Sequence, residues 1–305
     1  MTDASELEMI REVAERWGKL LGQCSPVPIP DGAADLPVHV THWGDTGPDV
    51  VLVHGGVQGG IGGGPANFGG QRPLADRGWR LHLVDRPGFG ASPSRGPDDM
   101  QTDGELIAGL LGDRSHLIGH SFGGAVALLA AAQRPAAVAS LILIEPALQA
   151  MVAADTESMA APDVQQGTRI MVDALLESQT PAEFARSFAQ RLGTGANGGP
   201  NPSAAMLEVD PGRAHGLGCS LLQAQMATPE VLTRAAKTIV DAQLAVLVIS
   251  GGYTPNQDSI GRALARMLAG RHVIVSSPNH FIQEANPNEF NDVVDAFMRD
   301  SDGGH

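Results

Sequence analysis

The residues Gly119-His120-Ser121-Phe122-Gly123 lie between the apolar run His116-Leu117-Ile118 and the Ala-rich stretch Gly124 to Ala132. This pattern predicts a strand that turns sharply into a helix with Ser121 at the turn. There the serine backbone is strained and its hydroxyl exposed, and the small residues two before and two after let strand and helix approach. The chemistry on offer is nucleophilic attack on a carbonyl. A G-x-S-x-G match alone says little in a chain with 38 glycines; the strand before it and the helix after it give it weight.

A serine hydroxyl needs a base. His280, in Ser277-Pro278-Asn279-His280-Phe281-Ile282, follows the last strand-like run and precedes a helix beginning near Pro287. The other nine histidines lie in or beside strands, in backbone motifs, in the helical segment or at the terminus. An acid must then hold the imidazole tautomer and stabilise the imidazolium. Glu145 closes the run Leu141-Ile142-Leu143-Ile144 and is followed by Pro146; a carboxylate ending a buried apolar strand needs a partner. Its bland reading is a solvent-facing start to the next segment. Asp258 is the fallback, in a polar turn that reads as a helix cap.

Backbone N–H groups should receive the oxyanion. His54-Gly55-Gly56-Val57 follows the run Val50 to Val53, and we select Gly56 together with Phe122, the residue after the serine. The glycines from Gly55 to Gly64 lack the Gly-Lys-Ser/Thr ending of a phosphate loop, and no G-x-G-x-x-G occurs, so a nucleotide site is not expected.

These groups need elements to carry them. Strand-like runs fall at Val38 to Trp43, Val50 to Val53, Leu81 to Val84, His116 to Ile118, Leu141 to Ile144, Leu244 to Ile249 and His272 to Val275, with helical stretches between most of them. That alternation predicts an α/β fold with a mostly parallel sheet buried on both faces. Residues 147–241 instead read as helices, among them Gln166 to Gln179 and Pro181 to Leu192, broken by the loop Gly193 to Pro200: a helical lid over the sheet's C-terminal edge. Residues 25–146 and 242–305 form the core. Residues 1–24 carry a leading helix, with a Ser5-x-x-Glu8 capping box and apolar residues at helical spacing. Its apolar face either covers the core or pairs with a second copy in a homodimer.

Composition removes several classes. Twenty Lys and Arg against 34 Asp and Glu give a net charge of −14 with no basic run, which excludes a nucleic-acid surface. No stretch of 18 uninterrupted apolar residues occurs, so no membrane span is expected, and the acidic amphipathic start points to a cytoplasmic protein. Cys24 and Cys219 match no metal or redox spacing and are expected as free thiols.

Together, His54-Gly55-Gly56, Asp85-Arg86-Pro87-Gly88-Phe89-Gly90-Ala91-Ser92, the Ser121 elbow and the His280 loop resemble the α/β-hydrolase superfamily over about residues 37 to 299. The resemblance implies an acid after the strand that follows the lid, yet Val248-Ile249-Ser250-Gly251-Gly252-Tyr253-Thr254 has none. It therefore looks like the bacterial esterase and lactonase branch in which a Glu after the preceding strand serves, here Glu145. The implied function is cleavage of a small carboxylic ester or lactone through an acyl-enzyme on Ser121, with His280 as base and without cofactor or metal. Asp85 is a turn residue in this reading. The alternatives are a cofactor-free carbon–carbon bond hydrolase, with Arg169, Arg186 and Arg191 as anchors, and a non-catalytic ligand-binding protein. Met151, Met159, Met171, Met206 and Met226 are candidate pocket residues.

Overall fold

The computed structural model of the chain describes residues 4–193 and 202–303, with the side chains of residues 4–6 and 203 left aside. The Ser5-x-x-Glu8 capping box and nearly all of the Gly193 to Pro200 loop thus lie outside the described residues. Each apolar run becomes a strand: β1 (Val40–Trp43), β2 (Asp49–Val53), β3 (Arg80–Val84), β4 (Ser115–His120), β5 (Val138–Ile144), β6 (Ala245–Ser250) and β7 (Arg271–Ile274). They form one sheet in the order β1-β3-β2-β4-β5-β6-β7, in which β1 runs antiparallel to β3 and the other pairs are parallel.

Alternate residues of the central strands feed two cores, as a period of two demands. Val51, Val53, Leu117, Leu141, Leu143 and Val248 face one side. Val50, Leu52, Ile118, Ile142, Ile144 and Ile249 face the other, against Phe290, Val294 and Phe297. The helices in chain order are α1 (Ala4–Leu21), the single turns α2 (Gly64–Asn67) and α3 (Pro73–Asp76), α4 (Met100–Leu110) and α5 (Phe122–Gln133). Between β5 and β6 come α6 (Gln149–Ala153), α7 (Pro162–Thr168), α8 (Ile170–Glu177), α9 (Pro181–Gly193), α10 (Pro202–Val209), α11 (Pro211–Gln223) and α12 (Pro229–Asp241). The chain ends with α13 (Pro255–Met267), the single turn α14 (Ile282–Ala285) and α15 (Pro287–Gly303).

Three expectations meet differences. The helix expected from Gln166 to Gln179 is two helices, α7 and α8. Gly167 and Thr168 are weak helix formers, and the Thr168 hydroxyl donates to the Gln165 carbonyl at 3.0 Å, closing the first. Second, α12 falls within residues 147–241 but packs on α5 beside the sheet, burying Leu232, Ala235, Ala236 and Ile239 along one stripe.

Third, Cys24 and Cys219 are not free thiols. They form a disulfide with Cα atoms 5.4 Å apart across 195 residues of sequence. No local spacing announces such a pair, because α1 must first fold back onto α8 and α11. There Leu20 is fully buried with Leu175, Phe184 and Leu222, and Val13 and Trp17 pack alongside. The apolar face of α1 thus lies on its own chain, although Leu7 and Ile10 stay exposed. Among the described residues no helix is long and apolar enough to cross a membrane.

Candidate active site

Strand register brings the sequence candidates together at one edge. In β4 and β5, His120 pairs with Ile144, so Ser121 and Glu145, each one residue further on, leave adjacent strands side by side. Both hold positive φ, 52° for Ser121 and 36° for Glu145, a strained region for residues with a Cβ. The Ser121 turn is held by hydrogen bonds from its own N–H to the Ile144 carbonyl at 2.9 Å and from the Ala147 N–H to the Ser121 carbonyl at 2.8 Å. The flanking glycines are sterically required. A Cβ on Gly123 would lie 2.3 Å from the Val53 and His54 carbonyl oxygens, and one on Gly119 would lie 2.5 Å from the Gly123 oxygen.

Glu145 and His280 meet. The Glu145 side chain is buried, and its Oε2 accepts from His280 Nδ1 at 2.6 Å. Since a carboxylate only accepts, Nδ1 carries the proton, and in the neutral imidazole Nε2 is then the acceptor. Glu145 Oε1 accepts the Gly251 N–H at 3.0 Å, and Oε2 also accepts the Tyr253 hydroxyl at 2.5 Å. Three donors thus satisfy the buried carboxylate, the condition under which such a charge is tolerated. Burial and the Glu145 charge push the Tyr253 phenol well above its ordinary pKa, so it remains a donor.

Asp258 is occupied elsewhere. Its Oδ1 accepts from the Ser250 hydroxyl at 2.5 Å and from the Gly252 N–H at 3.1 Å.

His280 Nε2 is buried without a protein hydrogen-bond partner. It makes no hydrogen bond to the Ser121 hydroxyl, yet the two residues line the same two cavities. An unengaged pair of this kind is common without ligand and closes when substrate arrives. The His280 backbone is fixed by the elbow itself: His120 Nε2 donates to the His280 carbonyl at 2.9 Å. Burial and the neighbouring His280 hold His120 well below the usual imidazole pKa, keeping it neutral.

Arg86 orders the loop after β2. Fully buried, it pairs through Nη2 with Asp98 at 2.6 Å and through Nε with Asp103 at 2.9 Å. Its Nη1 donates to the carbonyl oxygens of His54 at 3.3 Å and Gly56 at 2.9 Å. The His54 imidazole joins this clamp, accepting the Arg86 N–H at Nε2 (3.1 Å) and donating from Nδ1 to the Gly55 carbonyl at 2.9 Å. With the Gly55 carbonyl held, a trans peptide turns the Gly56 N–H the opposite way. Neither the Gly56 nor the Phe122 N–H donates to a protein acceptor among the described residues. Burial, reinforced by the Arg86 charge, lowers the His54 pKa to about 3.

Sequence reading missed Tyr253, His120 and Arg86 as parts of this arrangement. For Tyr253 the signal was there: it is the chain's only tyrosine and occupies the acid-less slot after β6. Arg86 and His120 carry no such mark, since only the fold reveals which carbonyls they hold.

A cavity of about 90 Å³ is lined by Gly55, Gly56, Ser121, His280, Leu217 and Phe281. A larger one of about 330 Å³ reaches Ser121, Glu145 and His280 and is walled mainly by apolar side chains such as Leu175, Phe188 and Leu232. Of the five methionines put forward as pocket residues, Met171 and Met226 line it; Met151 is in the core, and Met159 and Met206 pack against the core. No Lys or Arg lines either cavity, and the undescribed residues contain none. Arg169 pairs with Asp173, Arg191 with Glu177, and Arg186 donates to the Leu207 carbonyl.

Residues 50–293 match the model of an alpha/beta hydrolase family. Over 189 residues the chain is 32% identical to a pimeloyl-[acyl-carrier protein] methyl ester esterase from Aeromonas hydrophila, covering 57% of this chain and 70% of that protein. It is 33% identical over 119 residues to a 2-hydroxy-6-oxo-6-phenylhexa-2,4-dienoate hydrolase from Comamonas testosteroni, covering 37% of this chain and 41% of that one. Among solved structures, a hydrolase from Oleispira antarctica superposes with a TM-score of 0.61 at 12% identity, over 90% of this chain and 99% of the other. That last likeness is one of fold.

Proposed function

The chain belongs to the alpha/beta hydrolase family, and from that premise we propose that it is a serine hydrolase cleaving a carboxylic ester or lactone through an acyl-enzyme. The observation that carries this reading is the 2.6 Å bond between Glu145 and His280 Nδ1, which leaves Nε2 basic in the cavity that Ser121 lines. His280 Nε2 takes the proton of the Ser121 hydroxyl as the oxygen attacks the carbonyl carbon. The N–H groups of Gly56 and Phe122 receive the oxyanion. His280 then gives its proton to the departing alcohol, and water, activated by the same imidazole, attacks the acyl-enzyme and frees Ser121. Glu145 stabilises the imidazolium throughout. Every role falls to protein groups, so the scheme calls for no cofactor or metal.

The carbon–carbon hydrolase reading asks for cationic anchors for a charged diketone substrate. The apolar cavities favour the ester instead, because an unpaired buried carboxylate is costly and the three candidate arginines are engaged elsewhere. Parallel kinetics on activated esters and on a vinylogous diketone separate the two. We expect ester turnover, its loss by at least about 10³-fold in Ser121→Ala, and an unchanged circular dichroism spectrum in that variant. Full activity in Ser121→Ala removes the reading.

In the same proposal residues 25–146 and 242–305 are the catalytic core and the helices between β5 and β6 are its lid, with α12 serving the core layer. The cytoplasmic assignment has a chemical corollary. Disulfides persist in oxidising compartments, so a cytoplasmic enzyme would carry Cys24 and Cys219 reduced, whereas one working outside the cytoplasm would keep them bonded.

A further inference from the structure

The ester-hydrolase scheme leaves α1 without a task, and α1 precedes the region matched by the family model. Its attachment is nevertheless specific. Leu20 is fully buried, Arg16 Nη1 donates to the Ser178 carbonyl at 2.7 Å, and Cys24, just beyond the helix, is bonded to Cys219 on α11. So held, Val13 and Trp17 form part of the wall of the 330 Å³ cavity that reaches Ser121 and His280. The same two residues, with Val172 of α8, also line an open apolar groove on the outside of the protein. Val13, Trp17 and Val172 are therefore the partition between the reaction cavity and the exterior.

We propose that α1 is the outer wall of an acyl-chain chamber, that its occupant is the aliphatic chain of an uncharged ester, and that Trp17 sets the chain length admitted. This deepens the ester-hydrolase reading and rests on it. The carbonyl sits at Ser121, where the two cavities meet; the larger takes the chain and the smaller takes a compact alcohol. Hydrocarbon and thioether groups from Met100, Met171, Met226 and Leu232 complete the chamber, and flexible methionines adapt to a chain without a fixed shape. A carboxylate or phosphate at the chain's end would meet no lysine or arginine there. The volume holds on the order of ten water-sized groups, which suits a medium-length chain and leaves an acetyl group loosely held.

The test is kcat/KM on p-nitrophenyl esters from acetate to dodecanoate for the wild type, Trp17→Ala and Val172→Trp. In the wild type the value climbs by about fourfold per added methylene while the chamber fills, then falls. Trp17→Ala opens the partition toward the groove and moves the break to longer chains, raising the dodecanoate-to-butanoate ratio by about tenfold or more. Val172→Trp narrows it and moves the break to shorter chains; if Trp17→Ala fails to fold, this variant alone decides. Profiles that coincide with the wild type's, in an enzyme that turns over esters and takes a fluorophosphonate on Ser121, overturn the chamber and leave the hydrolase reading standing. A wild type that neither hydrolyses any ester nor accepts the fluorophosphonate overturns both.

Discussion

At the scale of single residues, the distinctive feature of the proposed site is that its acid is Glu145, at the end of β5. β5 delivers Glu145, and the slot after β6 contributes Gly251 and Tyr253, whose N–H and O–H both donate to that carboxylate. The segment in which the family resemblance implies an acid supplies donors to Glu145 instead. In the proposed mechanism Glu145→Gln loses the charge that stabilises the imidazolium and should lower kcat by about 10²- to 10⁴-fold. Asp258→Asn, which only loosens the turn closed by Ser250 and Gly252, should cost less than about tenfold; the reverse order in steady-state kinetics transfers the acid role to Asp258. For Tyr253→Phe, losing a hydrogen bond to a charged group worth about 1.5–3 kcal/mol predicts a fall in kcat of about ten- to a hundredfold. Unchanged kinetics would make the phenol a bystander. Ser121, His280 and Glu145 were legible in sequence because each ends or follows an apolar run. His120 and Arg86 were not, since the groups through which they order the site are backbone carbonyls, of His280 and of His54 and Gly56, and a backbone partner leaves no trace in residue types.

At the scale of elements, α1 and α11 are tied by one covalent bond. The seven strands could be read from sequence because a doubly covered sheet writes near-continuous apolar runs, and register alone then sets Ser121 beside Glu145. The disulfide could not, because it depends on how α1 returns to the helices after β5. Closing 195 residues of chain restricts the unfolded state strongly, and loss of such a bond typically costs about 2–5 kcal/mol. A Cys24→Ser, Cys219→Ser double variant should therefore melt several degrees lower than the oxidised protein, with dithiothreitol reproducing the effect in the wild type. Equal melting temperatures would show that packing of Leu20 and Trp17 holds α1 unaided.

At the scale of the whole molecule, buried histidines couple stability to pH. His54 and His120 are both held below their ordinary pKa, chiefly by burial, so the unfolded chain binds protons there that the folded one refuses. Stability is full well above about pH 6.5 and falls as the pH drops below it, by about 2 kcal/mol at pH 5 for His54 alone, with His120 acting in the same direction. Asp98 and Asp103 act in the opposite sense, since burial raises their pKa and gives stability that is lost as pH rises through the folded values. With His54 lowered to about 3 and His120 acting in the same direction, thermal melts from pH 7.5 to 5 should show a falling midpoint; a rising one would contradict this reading. The proposed mechanism makes Ser121 the nucleophile and His280 its base. Peptide mass spectrometry after exposure to an alkyl fluorophosphonate tests it most directly. This mechanism gives a phosphonyl adduct on Ser121 in the wild type and its near absence in His280→Ala; an adduct on another residue, or equal labelling of Ser121 in both proteins, would overturn it.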